Sequence, residues 1–306
     1  IAHETGHVNQ ALYNMAGCTE ISNNNFSQIN TWIQGSNTGR GGPWKVAQES
    51  FHKGVFWQEY DLWQRSRAYF QLWLYFHLME HNTSFYPQLF DKFRETPMTR
   101  SSNPQNPGSG LTDYLRFAKF ACDVAQADLS EFFQFWGFFV PLKNYEVGDY
   151  SNSYFTTTQE EIDQTIAYMQ QYPKKLGNIL FIDERIEKYP ADYPGMPEGT
   201  MRLATTRGAT PGNASEVGKT GMFTMFVDDP EYVQYTCNSS PVTGKVVISE
   251  ASGKGAVGFK VYNANHKLVN VYNTYVFTLP QEVRSQPFYI KAALGDGTDR
   301  LIYDPK

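Results

Sequence analysis

The residues with the clearest chemistry lie at the start of the chain, where His3, Glu4 and His7 form an H-E-x-x-H pattern. Residues four apart on an α-helix share one face, so His3 and His7 can present two imidazoles to one Zn²⁺ ion. Glu4 lies beside them and can accept a proton from a water molecule that the metal activates. The pattern also arises by chance on surface helices, but here it uses two of only six histidines. It therefore predicts a metal site that activates water.

A catalytic zinc site needs a third protein ligand and one open position. No further histidine follows at the spacing of an extended H-E-x-x-H-x-x-G-x-x-H motif. Glu20 is the only acidic residue between His7 and Glu49, and it falls in the first turn of the next predicted helix. A short turn between two helices can direct Glu20 toward the metal, although the helix dipole alone also favours a glutamate there. We predict Glu20 as the third ligand, with Glu49 and Glu59 as alternatives.

Other residues near the motif are candidates for supporting roles. Gly6 costs about 1 kcal/mol relative to alanine inside a helix, so we expect a neighbouring backbone to approach it closely. Gln10 lies one turn beyond His7 and can orient that ligand. Asn24 lies one turn beyond Glu20 and can hydrogen-bond it or a substrate. Hydrolysis also needs a group that stabilises an oxyanion, and the sequence leaves four candidates open: Tyr60, His52, His77 and Arg65.

Substrate contacts are expected near the metal. The glycine-rich stretch at residues 37–44 carries Arg40 and Trp44 and can line a cleft. Trp57 can offer a flat apolar surface to a sugar, although a core role is the commoner one for such a side chain. We predict five substrate-binding residues: Asn24, Arg40, Trp44, Trp57 and Tyr60.

The elements that must position these residues change in character near residue 200. Before it, apolar residues that recur every three or four positions, together with capping and stop signals, predict helices at residues 1–16, 19–34, 56–79, 85–93, 111–126 and 158–171. One more helix is predicted to follow a cap at Asp128 or Ser130 and to end at Gly137. After it, alternating runs predict strands of an antiparallel sandwich at residues 221–227, 245–250, 256–263, 267–272, 274–279 and 288–294. We therefore predict two domains, at residues 1–200 and 201–306.

The composition excludes several classes of protein. Aromatic residues make up 16% of the 306 residues, which is more apolar area than disordered chains carry. The formal net charge of −5 and the lack of a basic run indicate no nucleic-acid partner. No uncharged apolar stretch reaches about 18 residues, so we expect no transmembrane segment. The three cysteines are too few for a disulfide framework, and their spacing forms no metal-ligand pair.

The opening motif is part of a longer pattern. Residues 3–10 read H-E-x-G-H-x-x-Q, and residues 19–27 read T-E-I-S-N-N-N-F-S. Together they resemble the peptidase M60 family, the enhancin-like or mucin-degrading metallopeptidases. D-L-S-E-F-F at residues 128–133 and W-G-F at residues 136–138 resemble the family's helix after the metal site. The helical segment at residues 158–171 and the strand-rich end are similar to members from gut Bacteroidetes, so the resemblance covers most of the chain.

This resemblance implies that His3, His7 and Glu20 bind Zn²⁺ and that Glu4 is the general base of a gluzincin-type endopeptidase. It implies an α+β fold in which the mainly helical C-terminal half of a zincin-like catalytic domain precedes a small antiparallel β-sandwich. Zincins place a sheet before the metal helix, and we expect that sheet outside these 306 residues. Family members cleave glycoproteins such as mucins, several of them beside O-glycans, so the implied partner is a glycoprotein or an O-glycosylated peptide.

The setting and two alternative functions complete the prediction. We expect a monomer that acts outside the cell or at its surface. The aromatic residues and the β-domain also fit a non-catalytic, glycan-binding surface protein. The motif alone also fits a general thermolysin-like peptidase that is indifferent to glycans.

Overall fold

A computed structural model describes residues 2–33, 44–80, 82–187, 202–205, 221–222, 235–250, 256–294 and 297–305. Contacts between residues divide the chain into two units, Ile1–Leu176 and Gly177–Lys306. The described part of the first unit is mainly helical, and the described part of the second unit consists mainly of strands. The predicted α+β class is therefore confirmed. The predicted domain boundary at residue 200 lies outside the described residues and stays a prediction.

The described part of the first unit contains eight α-helices. They are α1 Ala2–Asn9, α2 Thr19–Ile33, α3 Trp44–Lys53, α4 Leu62–Trp73, α5 Phe85–Glu95, α6 Tyr114–Ala125, α7 Ser130–Phe135 and α8 Gln159–Met169. Of these, α3 has no counterpart among the predicted helices. The start of α8 follows a capping box, in which Thr158 Oγ1 accepts from the Glu161 main-chain N–H and the Glu161 carboxylate accepts from the Thr158 main-chain N–H.

The connection between α1 and α2 begins earlier than predicted. One 3₁₀ turn, Gln10–Leu12, follows α1, so the predicted helix at residues 1–16 is too long. Gly17 in the connection has a φ of 74°, and a Cβ there would overlap the side chains of Gln58 and Val147. Glycine is therefore needed both for its backbone conformation and for its lack of a side chain.

The predicted helix at residues 56–79 is three segments rather than one. A 3₁₀ turn, Trp57–Glu59, precedes α4, and a π-helix, Leu74–Met79, continues it. Asp61 accounts for the break, because its carboxylate accepts a hydrogen bond from the Trp63 main-chain N–H at 2.9 Å. An N-cap of this kind starts a new helix instead of extending the one before it.

A β-hairpin in the first unit has no counterpart among the predicted elements. It consists of β2 Leu142–Asp149 and β3 Ser151–Thr157, and the short strand β1 Gly108–Ser109 pairs with β3 in parallel. Tyr150 joins the two long strands with a left-handed φ of 55°. Asp149 Oδ2 accepts a hydrogen bond from the Thr19 main-chain N–H at 2.9 Å, so the hairpin tip caps the start of α2.

The second unit is built from three sheets in its described residues. The strands are β4 Ile182–Glu187, β5 Arg202–Thr205 and β6 Gly221–Met222 in one sheet, β7 Tyr235–Ser239, β8 Lys245–Glu250 and β11 Val276–Thr278 in the second, and β9 Gly258–Asn263, β10 Leu268–Tyr272, β12 Phe288–Ala293 and β13 Asp299–Tyr303 in the third. A short helix, α9 Gln281–Arg284, precedes β12.

The second and third of these sheets share one apolar core. Val246 and Ile248 from β8 belong to the same buried cluster as Phe259 from β9 and Ile290 from β12. The antiparallel sandwich is thus present, and five of its six predicted strands are found with shifts of at most two residues at each end. The sixth, at residues 221–227, is described only at its first two residues. None of the helices in the described ranges has the length and apolar character that a membrane crossing needs.

A buried carboxylate holds the α1–α2 connection in place within the first unit. Both oxygens of Asp113 accept from the Ala16 main-chain N–H at 3.2 Å, and Arg100 Nε donates to Oδ2 at 3.1 Å. Burial raises the pKa of Asp113 from 3.8 to about 6, against the opposing effect of Arg100. The folded first unit therefore takes up a proton at Asp113 as the pH falls through about 6, and the unfolded chain does so only as the pH falls through the ordinary pKa of 3.8.

This proton uptake predicts a pH dependence of stability. Because the folded state holds the proton more tightly, Asp113 contributes most to stability below about pH 4, and this contribution is lost as the pH rises through about 6. Asp113→Asn should abolish that dependence, so the free energy of unfolding of the natural chain relative to this variant should fall between pH 4 and pH 6.5. Urea unfolding followed by tryptophan fluorescence measures it, since all six tryptophans lie in the first unit. Asp91→Asn, at an exposed site on α5, is the control. If the free energy of unfolding varied with pH in the same way for the natural chain and for Asp113→Asn, the raised pKa of Asp113 would be contradicted.

Candidate metal centre

Three side chains from α1 and α2 converge at one end of the helix pair. Glu20 Oε2 lies 3.2 Å from His3 Nε2, and Glu20 Oε1 lies 3.7 Å from His7 Nε2. One ligand atom from each of the three residues lies within 4.8 Å of the others. Within the described ranges, no other group of three His, Cys, Asp or Glu residues meets this condition. The two histidine rings are nearly perpendicular, at 85°, with their centroids 5.0 Å apart.

The local sequence explains this convergence. Helix α1 places His3 and His7 on one face because they are four residues apart. The turn at Gly17 then allows α2 to start at Thr19, so that Glu20 is in its first turn. All three side chains are partly exposed, so an ion and a substrate can reach them.

The donor set suits a divalent cation. Two imidazoles and one carboxylate are the protein ligands of one class of catalytic zinc site, which leaves a fourth position for water or substrate. The three predicted ligands come from α1 and α2 alone. The two alternative ligands have partners of their own, since Glu49 pairs with Lys45 at 3.7 Å and Glu59 accepts from Tyr145 Oη at 3.4 Å.

A buried hydrogen-bond network supports His7. Gln10 Nε2 lies 2.8 Å from His7 Nδ1, and Gln10 Oε1 accepts from Ser22 Oγ at 2.7 Å. The Ser22 hydroxyl also lies 2.9 Å from the Cys18 main-chain oxygen. If His7 binds a metal through Nε2, its Nδ1 carries the proton and needs an acceptor. The Gln10 side-chain oxygen can provide it after a half-turn of the carboxamide exchanges Oε1 with Nε2. The structure therefore places Gln10 where it can fix the orientation of this ring.

Glu4 and Tyr150 lie at the exposed side of the site. Tyr150 is 88% exposed, and its hydroxyl donates to Glu20 Oε1 at 2.8 Å. The hydrogen bond from the Tyr150 hydroxyl to Glu20, and then the charge of Glu20, raise the pKa of Tyr150, with a smaller contribution from the Glu4 carboxylate. Tyr150 thus lies at the site but is not among the residues predicted from the sequence, and the turn-forming stretch G-D-Y-S-N-S at residues 148–153 is the signal that could have indicated it.

The predicted substrate-binding residues are corrected by their burial. Trp57 is 0% exposed and packs against Trp136 and Phe138, with ring centroids 6.2 and 4.9 Å away. Tyr60 is also buried, and its hydroxyl donates to the Phe135 main-chain oxygen at 2.6 Å. These side chains fill the aromatic core of the first unit, where a substrate has no access to them.

Trp44, Asn24 and Arg40 complete the predicted set. Trp44 is buried and stacks on Phe135, with their centroids 5.5 Å apart, so the prediction of a substrate contact is wrong for it as well. Asn24 is buried too, and it hydrogen-bonds the main-chain oxygen of Glu20 rather than its carboxylate. Arg40 lies outside the described residues.

The four predicted oxyanion-stabilising candidates contact other groups. Arg65 donates to the Gly17 main-chain oxygen at 3.1 Å, and His77 stacks on Trp73 with centroids 4.8 Å apart. The His52 ring lies 5.9 Å from that of its neighbour Phe51, and the fourth candidate is the buried Tyr60 described above. Tyr150 is therefore a better-placed candidate than any of the four.

Two family models match the chain. Residues 1–137 match the model of peptidase M60, enhancin and enhancin-like, and residues 239–301 match the model of the peptidase M60 C-terminal domain. Among curated proteins, no sequence matches.

The chain is also similar to solved structures of metallopeptidases. The chain is 26% identical to a metallopeptidase from Bacteroides thetaiotaomicron, with a TM-score of 0.73. This match covers 98% of the present chain and 48% of the Bacteroides chain. The chain is 27% identical to a metallopeptidase in complex with Tn antigen, with a TM-score of 0.74. This second match covers 98% of the present chain and 53% of the other. The ZmpB metallopeptidase from Clostridium perfringens, at 15% identity and a TM-score of 0.50, shares the fold. The chain spans about half the length of these relatives.

The geometry predicts that removing the Glu20 carboxylate weakens metal binding. Glu20→Gln keeps the shape of the side chain but removes its charge, so we expect the zinc affinity to fall by more than the roughly 10–100-fold that follows loss of an outer-shell partner. Competition with a chromophoric chelator near neutral pH measures the affinity. Glu49→Gln is the matched control, and equal weakening by both variants would contradict the assignment of Glu20.

Proposed function

The chain belongs to the peptidase M60 family, and from that premise we propose that it carries the metal centre of a zinc-dependent endopeptidase of the gluzincin type. The observation that carries the proposal is the convergence of His3, His7 and Glu20, with ligand atoms within 4.8 Å of one another. Their donor set matches that of catalytic zinc sites with two histidines and a glutamate. Bound zinc would supply a Lewis acid and lower the pKa of water toward about 7.

Glu4 is the proposed general base. It follows His3 directly on α1 and is exposed, so its carboxylate is on the side that a substrate can reach. A carboxylate in this position would take a proton from the attacking water and return it to the leaving amine of the cleaved peptide. No other acidic residue lies on α1, which makes Glu4 the natural choice for this role.

Tyr150 is the proposed donor to the oxygen anion that develops on the substrate carbonyl. Its hydroxyl is within hydrogen-bond distance of Glu20, and its ring is exposed at the hairpin tip. Asp149, the preceding residue, fixes that tip to the start of α2. Its single O–H donates to Glu20 in this structure, so it would have to turn from Glu20 toward the developing charge, which a neutral donor beside the ligands can stabilise.

The proposed substrate is a glycoprotein such as a mucin. A relative of similar fold and 27% identity is a metallopeptidase in complex with Tn antigen, and this relationship supports a glycan-bearing substrate for the present chain. Such substrates lie outside cells, so we propose that the protein acts as a monomer in the extracellular space or at the cell surface.

The base is tested by Glu4→Gln in the full-length gene product. The variant should bind zinc as the natural protein does, because Glu4 is not among the converging ligands. Cleavage of a mucin-type glycoprotein should fall by about 10²–10⁴-fold because proton transfer is lost. Glu95→Gln, at an exposed position on α5, is the control, and unchanged cleavage by Glu4→Gln would contradict the proposal.

Cleavage assays on the natural full-length protein distinguish the alternative functions. A peptide cleaved only when it carries an O-glycan supports the glycoprotein-directed peptidase, and equal cleavage of the bare peptide supports a general thermolysin-like peptidase. Glycan binding without any cleavage, in protein that holds zinc, would support the non-catalytic interpretation.

The role of Tyr150 is tested by Tyr150→Phe, which removes only the hydroxyl. We expect kcat to fall by about 10²–10³-fold, as for loss of one oxyanion donor, with little change in zinc affinity. Tyr145→Phe is the matched control, because Tyr145 lies on the same hairpin and donates to Glu59 instead. A parallel loss of zinc affinity in Tyr150→Phe would show that the hydroxyl serves only to position Glu20.

A further inference from the structure

Asn23 occupies an unusual position between the two histidines. It lies on α2, one turn beyond Glu20, and is 0% exposed. Its Nδ2 is 3.0 Å from His7 Nε2 and also 3.0 Å from both ring nitrogens of His3. Its Oδ1 is buried and has no hydrogen-bond partner among the described residues. A buried carboxamide oxygen without a partner has lost its hydrogen bonds to water without replacing them, so its orientation calls for an explanation.

This arrangement suits a metal-free site but not a metal-bound one. The two Nε2 atoms face Glu20, so they are the atoms that would bind the metal. Once their lone pairs are used in this way, they cannot accept hydrogen bonds from the Asn23 amide. His3 Nδ1 would then carry the ring proton and need an acceptor, yet the group 3.0 Å away is also a donor.

A half-turn of the carboxamide gives His3 Nδ1 an acceptor and takes the amide donor away from the two Nε2 atoms, with Oδ1 in the position that Nδ2 has now. The oxygen and nitrogen of an asparagine amide are nearly equal in size, so rotation about the Cβ–Cγ bond exchanges acceptor and donor without moving other groups. Oδ1 then lies beside His3 Nδ1 and gains the hydrogen-bond partner that it lacks. The amide N–H groups move away from the two Nε2 atoms and leave their lone pairs free for the metal.

We propose that Asn23 is a positioning residue for His3, whose Nδ1–H it accepts through Oδ1 when the site holds its metal. This inference rests on the proposed metal centre and adds a residue to it. Such outer-shell acceptors fix the tautomer and the orientation of a ligating imidazole. Asn23 therefore serves His3 as Gln10 serves His7, so that each of the two ligating rings has its own carboxamide.

Gly6 explains how Asn23 comes so close. A Cβ at Gly6 would overlap Asn23 Oδ1 and lie 3.0 Å from the Asn23 main-chain oxygen. Only glycine leaves room for α2 to approach α1 at this point, which accounts for a residue type that is unfavourable inside a helix. The close backbone approach predicted for Gly6 is thus found, and the approaching residue is Asn23.

The test measures zinc affinity in three variants on α2. Asn23→Leu is similar in size but cannot hydrogen-bond, and we expect it to weaken zinc binding by about 10–100-fold. Asn23→Asp offers only acceptor oxygens when ionised, so it should bind zinc at least as tightly as the natural chain. Asn30→Leu, at an exposed position on the same helix, is the control and should not change the affinity.

The outcomes separate this inference from the proposed function. If the natural chain binds no zinc, the metal centre itself is wrong. If the natural chain binds zinc and Asn23→Leu binds it equally well, or if Asn23→Asp is as weak as Asn23→Leu, the role of Asn23 is refuted while the metal centre stands. Should Asn23→Leu fail to fold, Asn23→Asp decides alone, because an essential donor role predicts loss of affinity and an acceptor role predicts none.

A second readout follows the proton directly. In the zinc-loaded chain, the imidazole Nδ1–H of His3 should give a slowly exchanging NMR signal that is retained in Asn23→Asp. A His3 ring that carries no proton at Nδ1 when zinc is bound would overturn the proposal whatever the affinities are.

Discussion

The geometry of the candidate metal centre depends on the close approach of α1 and α2. One helix supplies two imidazoles and the other supplies a carboxylate, so a small change in their separation would pull the ligands apart. The approach needs a glycine in each of two places, at Gly17 for the turn and at Gly6 for the contact with Asn23. It also needs Asp149 at the start of α2 and Asp113 at the connection, both contributed by distant parts of the chain.

The convergence of His3, His7 and Glu20 could be predicted from the sequence because the information is local. A spacing of four residues fixes the relation of His3 to His7 on any helix, and a single acidic residue in the following segment left Glu20 with few competitors. The capping box at Thr158 and the strands of the second unit are predictable for the same reason, since turn residues and alternation are features of short segments.

The rest of the site could not be read from local pattern. Tyr150 reaches Glu20 through a hairpin whose tip meets α2 across 130 residues of sequence, and no short segment records that contact. The prediction failed for Trp57 and Tyr60 because an aromatic residue near a motif looks the same whether it faces a substrate or the core. Their positions are set by packing against Trp136 and Phe138, which follow them by more than 70 residues.

The central claim is that these two helices hold one zinc ion, and anomalous diffraction at the zinc absorption edge tests it most directly. In crystals of the protein grown with equimolar zinc, we expect one anomalous peak about 2.0–2.2 Å from His3 Nε2, His7 Nε2 and a Glu20 oxygen. A peak at another site, or none at these three residues while zinc is retained by the protein, would contradict it.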